Sequence, residues 1–180
     1  MSSWAHIARR IRVPVGFAFA AFYLWQARPS SPSLILGTVA AICGLALRAF
    51  AAGHLRKSTE LTTTGPYGYT RNPLYLGSLL MAGGFALAAR NLWIALAIVV
   101  IFVAIYVPVV GFEENYLRSV FPAFEDYARA VPRFLPRLTA AGPQGQFSFE
   151  LYLKNREYNA LLGTAAMLAA LVAKLVWYQR

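Results

Sequence analysis

Five side chains stand where the apolar runs of this chain give way to polar sequence, and their types could do chemistry: Arg48, His54, Arg71 and the adjacent pair Glu113 and Glu114. An arginine grips an anion with paired N–H donors. A carboxylate neutralises an ammonium group or accepts a proton. His54 and His6 lack a second His or Cys at ligand spacing, which argues against a metal site and leaves His54 as a candidate base.

Arg71 belongs to the densest of these regions, TTTGPYGYTRNPLYLG, Thr62 to Gly77. Pro66 after Gly65 fits a turn. Pro73 fits the first turn of a helix, where its missing N–H costs nothing, and Asn72 before it falls at the N-cap. Such a helix start beside an arginine is a ready anion site. A well-capped helix with interfacial tyrosines accounts for the same residues, and both readings stand at this level.

The Glu113–Glu114 pair lies where an apolar segment ends, a costly place for carboxylates unless they are solvated, paired or used. Adjacent helical residues point about 100° apart, so one of the two is expected to face the bundle. Pairing of Glu114 with Arg118 one turn on is the structural alternative. Arg48, in GLALRAFAAGHLRK, sits near the end of another apolar run, where it either snorkels to the interface or binds a headgroup or substrate.

The elements that must position these groups read as membrane helices. The chain has 180 residues, 58% hydrophobic and only 13% charged, against about 25% charged in soluble domains. That excludes a disordered chain and points to one all-α polytopic membrane bundle, residues 1–180. The net charge of +10 lies in short segments between apolar runs, which suits anionic lipid headgroups and topology rather than nucleic acid. The lone Cys43 permits no intrachain disulfide.

Five spans are expected, at about 11–27, 33–53, 73–89, 92–112 and 158–178. The basic N-terminus before an apolar run resembles a signal peptide, but the spans that follow favour a first helix that stays. Pro108 should kink the fourth span. Arg28 to Ser33 and Ala89 to Asn91 make two tight helical hairpins.

Arg9, Arg10, Arg12, Arg56, Lys57, Arg71, Arg118, Arg129, Arg133, Arg137, Lys154 and Arg156 would share one side, against Arg28, Arg90, Lys174 and Arg180 on the other. By the positive-inside rule both long connections are cytoplasmic and the C-terminus is not. Tyr116, Leu117, Val120, Phe121, Phe124 and Tyr127 recur at helical spacing, an amphipathic cytoplasmic helix that Pro122 divides. The span at 158–178 looks like an appendage beyond a unit that ends near Leu138.

The ordered string GPYGYTRNPLYLG, a hydrophobic hairpin, EENYLRSVF and FEDYARAVPRFLP resembles the isoprenylcysteine carboxyl methyltransferase and phospholipid methyltransferase superfamily over about residues 54–138. The resemblance implies S-adenosylmethionine as cofactor and a lipophilic or lipid methyl acceptor, a carboxylate or an amine, with the site facing the cytoplasm. Carried over position by position, it implies a cofactor site of Tyr67, Arg71, Asn72, Pro73, Tyr75, Gly77, Glu113 and Glu114. Glu114 and, from the reading of the residues themselves, Arg48 and His54 are the catalytic candidates.

The chain departs from the family pattern in having Asn72 where histidine is usual, VPVVGF in place of arginines before the Glu pair, and the extra last span. Arg48 and Arg118 are candidates to compensate for the missing arginines. A sterol-reductase-like enzyme using a nicotinamide dinucleotide and a non-catalytic scaffold of the same fold are the competing readings.

Overall fold

The computed structural model describes residues 3–56 and 59–178. Of the basic residues counted for orientation, Lys57, Arg180 and the side chains of Arg9 and Arg12 lie outside the described residues, as does the side chain of His6. All regular structure among the described residues is helical: α1 (Ser3–Gln26), α2 (Ser31–Ala52), a 3-10 turn (Gly65–Gly68), α3 (Pro73–Ala89), α4 (Leu92–Ile101), α5 (Val107–Val120), α6 (Phe124–Ala130), α7 (Phe149–Lys154) and α8 (Tyr158–Tyr178).

Three helical runs among the described residues are long and apolar enough to cross a membrane: Ser31–Ala52, Leu92–Val120 and Tyr158–Tyr178. Val13–Gln26 and Pro73–Ala89 are apolar but shorter. The molecule is thus a polytopic helix bundle, with helices in the five expected regions. Trp25, Trp93 and Trp177, each about three-quarters exposed, sit at the end of α1, the start of α4 and the end of α8. They lie at the end of the bundle opposite Arg71 and the Glu pair, where exposed tryptophans suit a membrane interface.

Local chemistry sets the helix ends. Ser30 and Ser33 form a reciprocal capping box at the start of α2, with Pro32 in its first turn. Asn91 caps α4 by accepting from Trp93 N–H at 2.9 Å and Ile94 N–H at 3.4 Å, while its amide donates to the Gln26 carbonyl. Arg28 N–H reaches Ala89 O at 2.9 Å, which locks the two hairpin turns together.

The irregularity expected at Pro108 falls one turn earlier. Residues Phe102–Tyr106 form a π-turn that joins α4 and α5 into one run. A proline cannot donate to the carbonyl four residues back, and a wider turn is one way a helix accommodates that. The helical run also continues past the expected end at 112, carrying Glu113 and Glu114 on α5 to Val120. Pro122 divides it from α6, as anticipated.

Helices α2 and α3 make the closest contact in the bundle, along a seam of small residues. A methyl group on Gly84 would lie 2.5 Å from Gly37 O, and one on Gly44 would lie 2.5 Å from Gly77 O. Backbones approach this closely only where side chains are absent, the usual route to tight helix packing in lipid. Near the tryptophan end, Tyr23, Ala27, Leu34, Ala88, Ile94 and Leu171 form the apolar core, and the Tyr23 hydroxyl donates to Phe85 O at 2.8 Å.

Candidate functional site

The site is built around Glu114, which is only 2% exposed. Its Oε2 accepts from Arg133 Nε at 2.9 Å and Nη2 at 2.6 Å. Its Oε1 accepts from the Asn72 amide at 3.0 Å and lies 3.6 Å from Arg71 Nε. A buried carboxylate survives only when its charge and lone pairs are met, and here two guanidinium groups and an amide meet them.

Segment 131–143 holds this arrangement by running along the Gly65–Arg71 stretch. Arg71 N–H donates to Pro132 O at 2.9 Å, Arg137 N–H to Tyr69 O at 3.0 Å, and Ala141 N–H to Gly68 O at 2.9 Å. Thr70 Oγ1 donates to Arg133 O at 3.0 Å, and the Asn72 amide donates to the same carbonyl at 3.2 Å. Gly65, at φ +57°, has the left-handed backbone that favours glycine, and a methyl there would strike the His54 ring.

A cavity of about 360 Å³ opens beside these groups, between the start of α3, α5 and α6, within the range of about 300–1,000 Å³ usual for small-molecule sites. Tyr67, Arg71, Asn72, Pro73, Tyr75, Glu113 and Glu114 all line it. Leu55, Leu61, Leu117 and Phe124 add apolar wall.

Two lining residues carry a buried polar atom without a hydrogen-bond partner, Tyr67 Oη and Arg71 Nε. Such groups are expensive unless something fills the space before them. Burial first, then Tyr127 and Glu113, push the Tyr67 hydroxyl well above the ordinary tyrosine range, which keeps it protonated. The Tyr127 hydroxyl donates to Tyr67 O at 2.8 Å and fixes the turn from outside.

The two carboxylates have separated roles, as their helical angle requires. Glu114 is consumed by protein partners. Glu113 is partly exposed, lines the cavity, and forms no hydrogen bond or ion pair with another described residue. The alternative pairing of Glu114 with Arg118 is not made, because Arg118 pairs with Glu125 and Asn115.

Asn72 stands at the N-cap position of α3, yet its side chain makes no cap hydrogen bond. The amide is instead turned to Glu114 and Arg133 O. A charged acceptor makes the stronger bond, and Pro73 has already removed one of the orphan donors.

Gly77, Arg48 and His54 lie outside the cavity lining. Gly77 serves the α2–α3 seam, where a methyl would meet Arg48 Cγ at 2.6 Å. Arg48 is held by Glu157 through Nε and by Ser78 Oγ and Leu74 O through Nη1. It therefore does not snorkel freely, nor does it reach the cavity. His54 donates through Nδ1 to Phe50 O at 2.9 Å, which leaves Nε2 as an acceptor buried without a partner behind Gly65.

Sequence reasoning missed Arg133, the cation that pairs with Glu114. The signal was present: a buried glutamate without nearby arginines must recruit a cation from elsewhere, and Arg133 lies in the same FEDYARAVPRFLP string. Neither Arg48 nor Arg118 fills that role.

The structure is thus a helical membrane bundle with a cavity at one end, walled by a tyrosine-rich helix start and a Glu pair. Residues 48–123 match the model of the phospholipid methyltransferase family, a family within the isoprenylcysteine carboxyl methyltransferase superfamily.

The chain is 40% identical over 84 residues to the nickel-cobalt-cadmium resistance protein NccN of Alcaligenes xylosoxydans xylosoxydans, covering 47% of this chain and 39% of that one. It is 33% identical over 135 residues to the cobalt-zinc-cadmium resistance protein CzcN of Cupriavidus metallidurans, covering 71% of this chain and 62% of that one. The chain thus spans less than two thirds of the length of either relative. No solved structure matches it significantly.

Proposed function

We propose that this protein is an integral membrane methyltransferase that uses S-adenosylmethionine, held in the cavity at the start of α3, and methylates a lipophilic acceptor. The observation that carries the reading is the set of groups around that cavity with unused capacity: Glu113 without a partner among the described residues, and Arg71 Nε and Tyr67 Oη buried without a hydrogen-bond partner. The methionyl ammonium suits Glu113, its carboxylate suits Arg71, and the aromatic and apolar wall of Tyr75, Leu117 and Phe124 suits a purine.

When bound, the cofactor supplies an electrophilic methyl group on a sulfonium centre. What the chain supplies is alignment and dryness. Glu114, Arg133 and Asn72 fix the start of α3 against α5, and Tyr127 fixes the Tyr67 turn, so the lining is preorganised. A carboxylate acceptor needs nothing more than position and exclusion of water. A protonated amine acceptor also needs a base to take its proton. Arg71, Arg118, Arg129, Arg133 and Arg137 lie at this end of the bundle, which supports a cavity on the cytoplasmic side.

Metal resistance is in the names of the two relatives. Among the described residues no three His, Cys, Asp or Glu side chains gather as a metal site.

Calorimetry of the detergent-purified protein with S-adenosylhomocysteine and with NADPH tests the reading. The expected result is a saturable heat with the first and none with the second. No heat with S-adenosylhomocysteine, at concentrations that detect micromolar affinity, overturns it. Incubation with methyl-labelled cofactor and a total lipid extract then identifies the acceptor by the product that carries the label.

A further inference from the structure

The segment Arg133–Leu138, RFLPRL, carries the two most exposed leucines in the described chain outside any helix: Leu135 at 81% and Leu138 at 99%. Its place relative to the bundle is fixed at two heights on one spanning helix. Arg133 pairs with Glu114 at the polar end. The Phe134 ring packs 6.1 Å from that of Phe102 in the π-turn, about 18 Å of helical rise from Glu114.

A segment whose backbone is bonded at the polar end and which sends an aromatic ring toward the middle of a spanning helix lies beside the surface where that helix leaves the bilayer. Leucines pointing away from the protein at that level meet acyl chains, not water. The flanking charges fit the same surface. Arg129 is 79% exposed at its side chain, and Arg137, also exposed, spends one donor on Ala130 O. Guanidinium groups beside an inserted apolar loop meet anionic lipid headgroups.

Part of the backbone here needs no water partner. Pro132 and Pro136 have no N–H to satisfy, Val131 N–H bonds Tyr127 O, and Arg137 N–H bonds Tyr69 O.

We propose that residues 134–138 form a bilayer-insertion loop, with Leu135 and Leu138 among the acyl chains and Arg129 and Arg137 at anionic headgroups. The loop is continuous with the site. Arg133, at its start, holds Glu114 by its side chain and Thr70 and Asn72 by its carbonyl, so the lipid surface bears directly on the cavity wall. This does not depend on which cofactor the cavity takes.

The full-length protein in nanodiscs containing anionic lipid tests it. With Cys43, the one cysteine, replaced by serine, Leu138→Cys takes an environment-sensitive fluorophore, and Leu135→Cys and Asp126→Cys serve as a second probe and a polar control. Emission at 138 and 135 should be blue-shifted, quenched by lipids spin-labelled on the acyl chain, and protected from aqueous iodide, whereas 126 should show the reverse.

Iodide quenching at 138 and 135 equal to that at 126 overturns the proposal. Protection from both quenchers also overturns it, since the occupant is then protein, such as a second copy of the chain. Acyl-chain quenching at 138 should weaken in the Arg129→Gln/Arg137→Gln variant in anionic but not zwitterionic nanodiscs. An unchanged value in both would overturn the headgroup assignment.

Discussion

Glu113 and Glu114 are neighbours in sequence that face different partners, and the difference predicts opposite phenotypes. Glu114 is buried between Arg133, Arg71 and Asn72. Removing one member of a buried charged cluster costs about 3–5 kcal/mol, and the lower figure applies because Arg133 is 45% exposed and can turn to water. Glu114→Gln should therefore lower the melting temperature clearly. Glu113→Gln, which leaves no described partner stranded, should melt within a degree or two of the parent yet weaken S-adenosylhomocysteine binding about tenfold, the loss of about 1.4 kcal/mol expected for one ammonium contact. Equal melting temperatures for the two variants would show that the roles are misassigned.

Tyr67→Phe separates ligand from fold in another way. Its hydroxyl has no partner in the folded chain, so deletion should be neutral or stabilising while reducing affinity. The same group gives a pH signature. A tyrosine whose folded pKa is raised contributes stability below its unfolded value, about 10, that is lost as the pH climbs past it. Tyr67→Phe should flatten that alkaline loss in melting scans.

At the scale of elements, the α2–α3 seam is the contact that presents the start of α3 to the cavity. Gly83 and Gly84 are consecutive on α3, and only one of them faces the seam. A methyl on Gly83 meets nothing within 4 Å, whereas one on Gly84 meets Gly37 O at 2.5 Å and Ala41 N at 2.6 Å. Gly84→Ala should destabilise by about 1–3 kcal/mol through overpacking. Gly83→Ala should be neutral or gain up to about 1 kcal/mol of helix propensity. Thermal scans in one detergent check both, and equal shifts would exclude the tight seam.

The helices in the five apolar regions, the tight hairpins, the break at Pro122 and the start of α3 at Pro73 were legible because each has a local cause: an apolar run, a capping residue, a proline. The use of Asn72 was not. Its capping propensity is local, while the stronger acceptor, Glu114, arrives from α5 and no local pattern reveals it. Gly77 entered only through the resemblance, and in the structure it stands where Arg48 and Gly44 of α2 pack close.

At the scale of the molecule, α8 looks appended in sequence but is tied to the bundle at both ends. Lys174 donates to Leu24 O and Trp25 O at the end of α1. At the other end the Asn155 amide donates to Ala52 O and Leu55 O, each at 2.9 Å, closing the C-terminus of α2. Glu157, 6% exposed, pairs with Arg48, and Arg48 in turn holds Leu74 O and Ser78 on α3.

A long-range ion pair of this kind has no signature in a single sequence, since neither residue's neighbours name the other. Its energetics are nevertheless specific. Glu157→Gln and Arg48→Gln should each strand a charge in a largely buried setting and lower stability by roughly 2–4 kcal/mol, less than the full buried-pair cost because the Arg48 side chain is 23% exposed.

The double variant leaves no charge stranded. It should lose well under the sum of the two single losses, with a coupling of about 1–3 kcal/mol in a double-mutant cycle of melting data. Additive losses would mean that α8 and the cavity helices are joined by packing alone. A large coupling would make the last helix part of the frame that holds α3, and so part of what any functional fragment of this chain must retain.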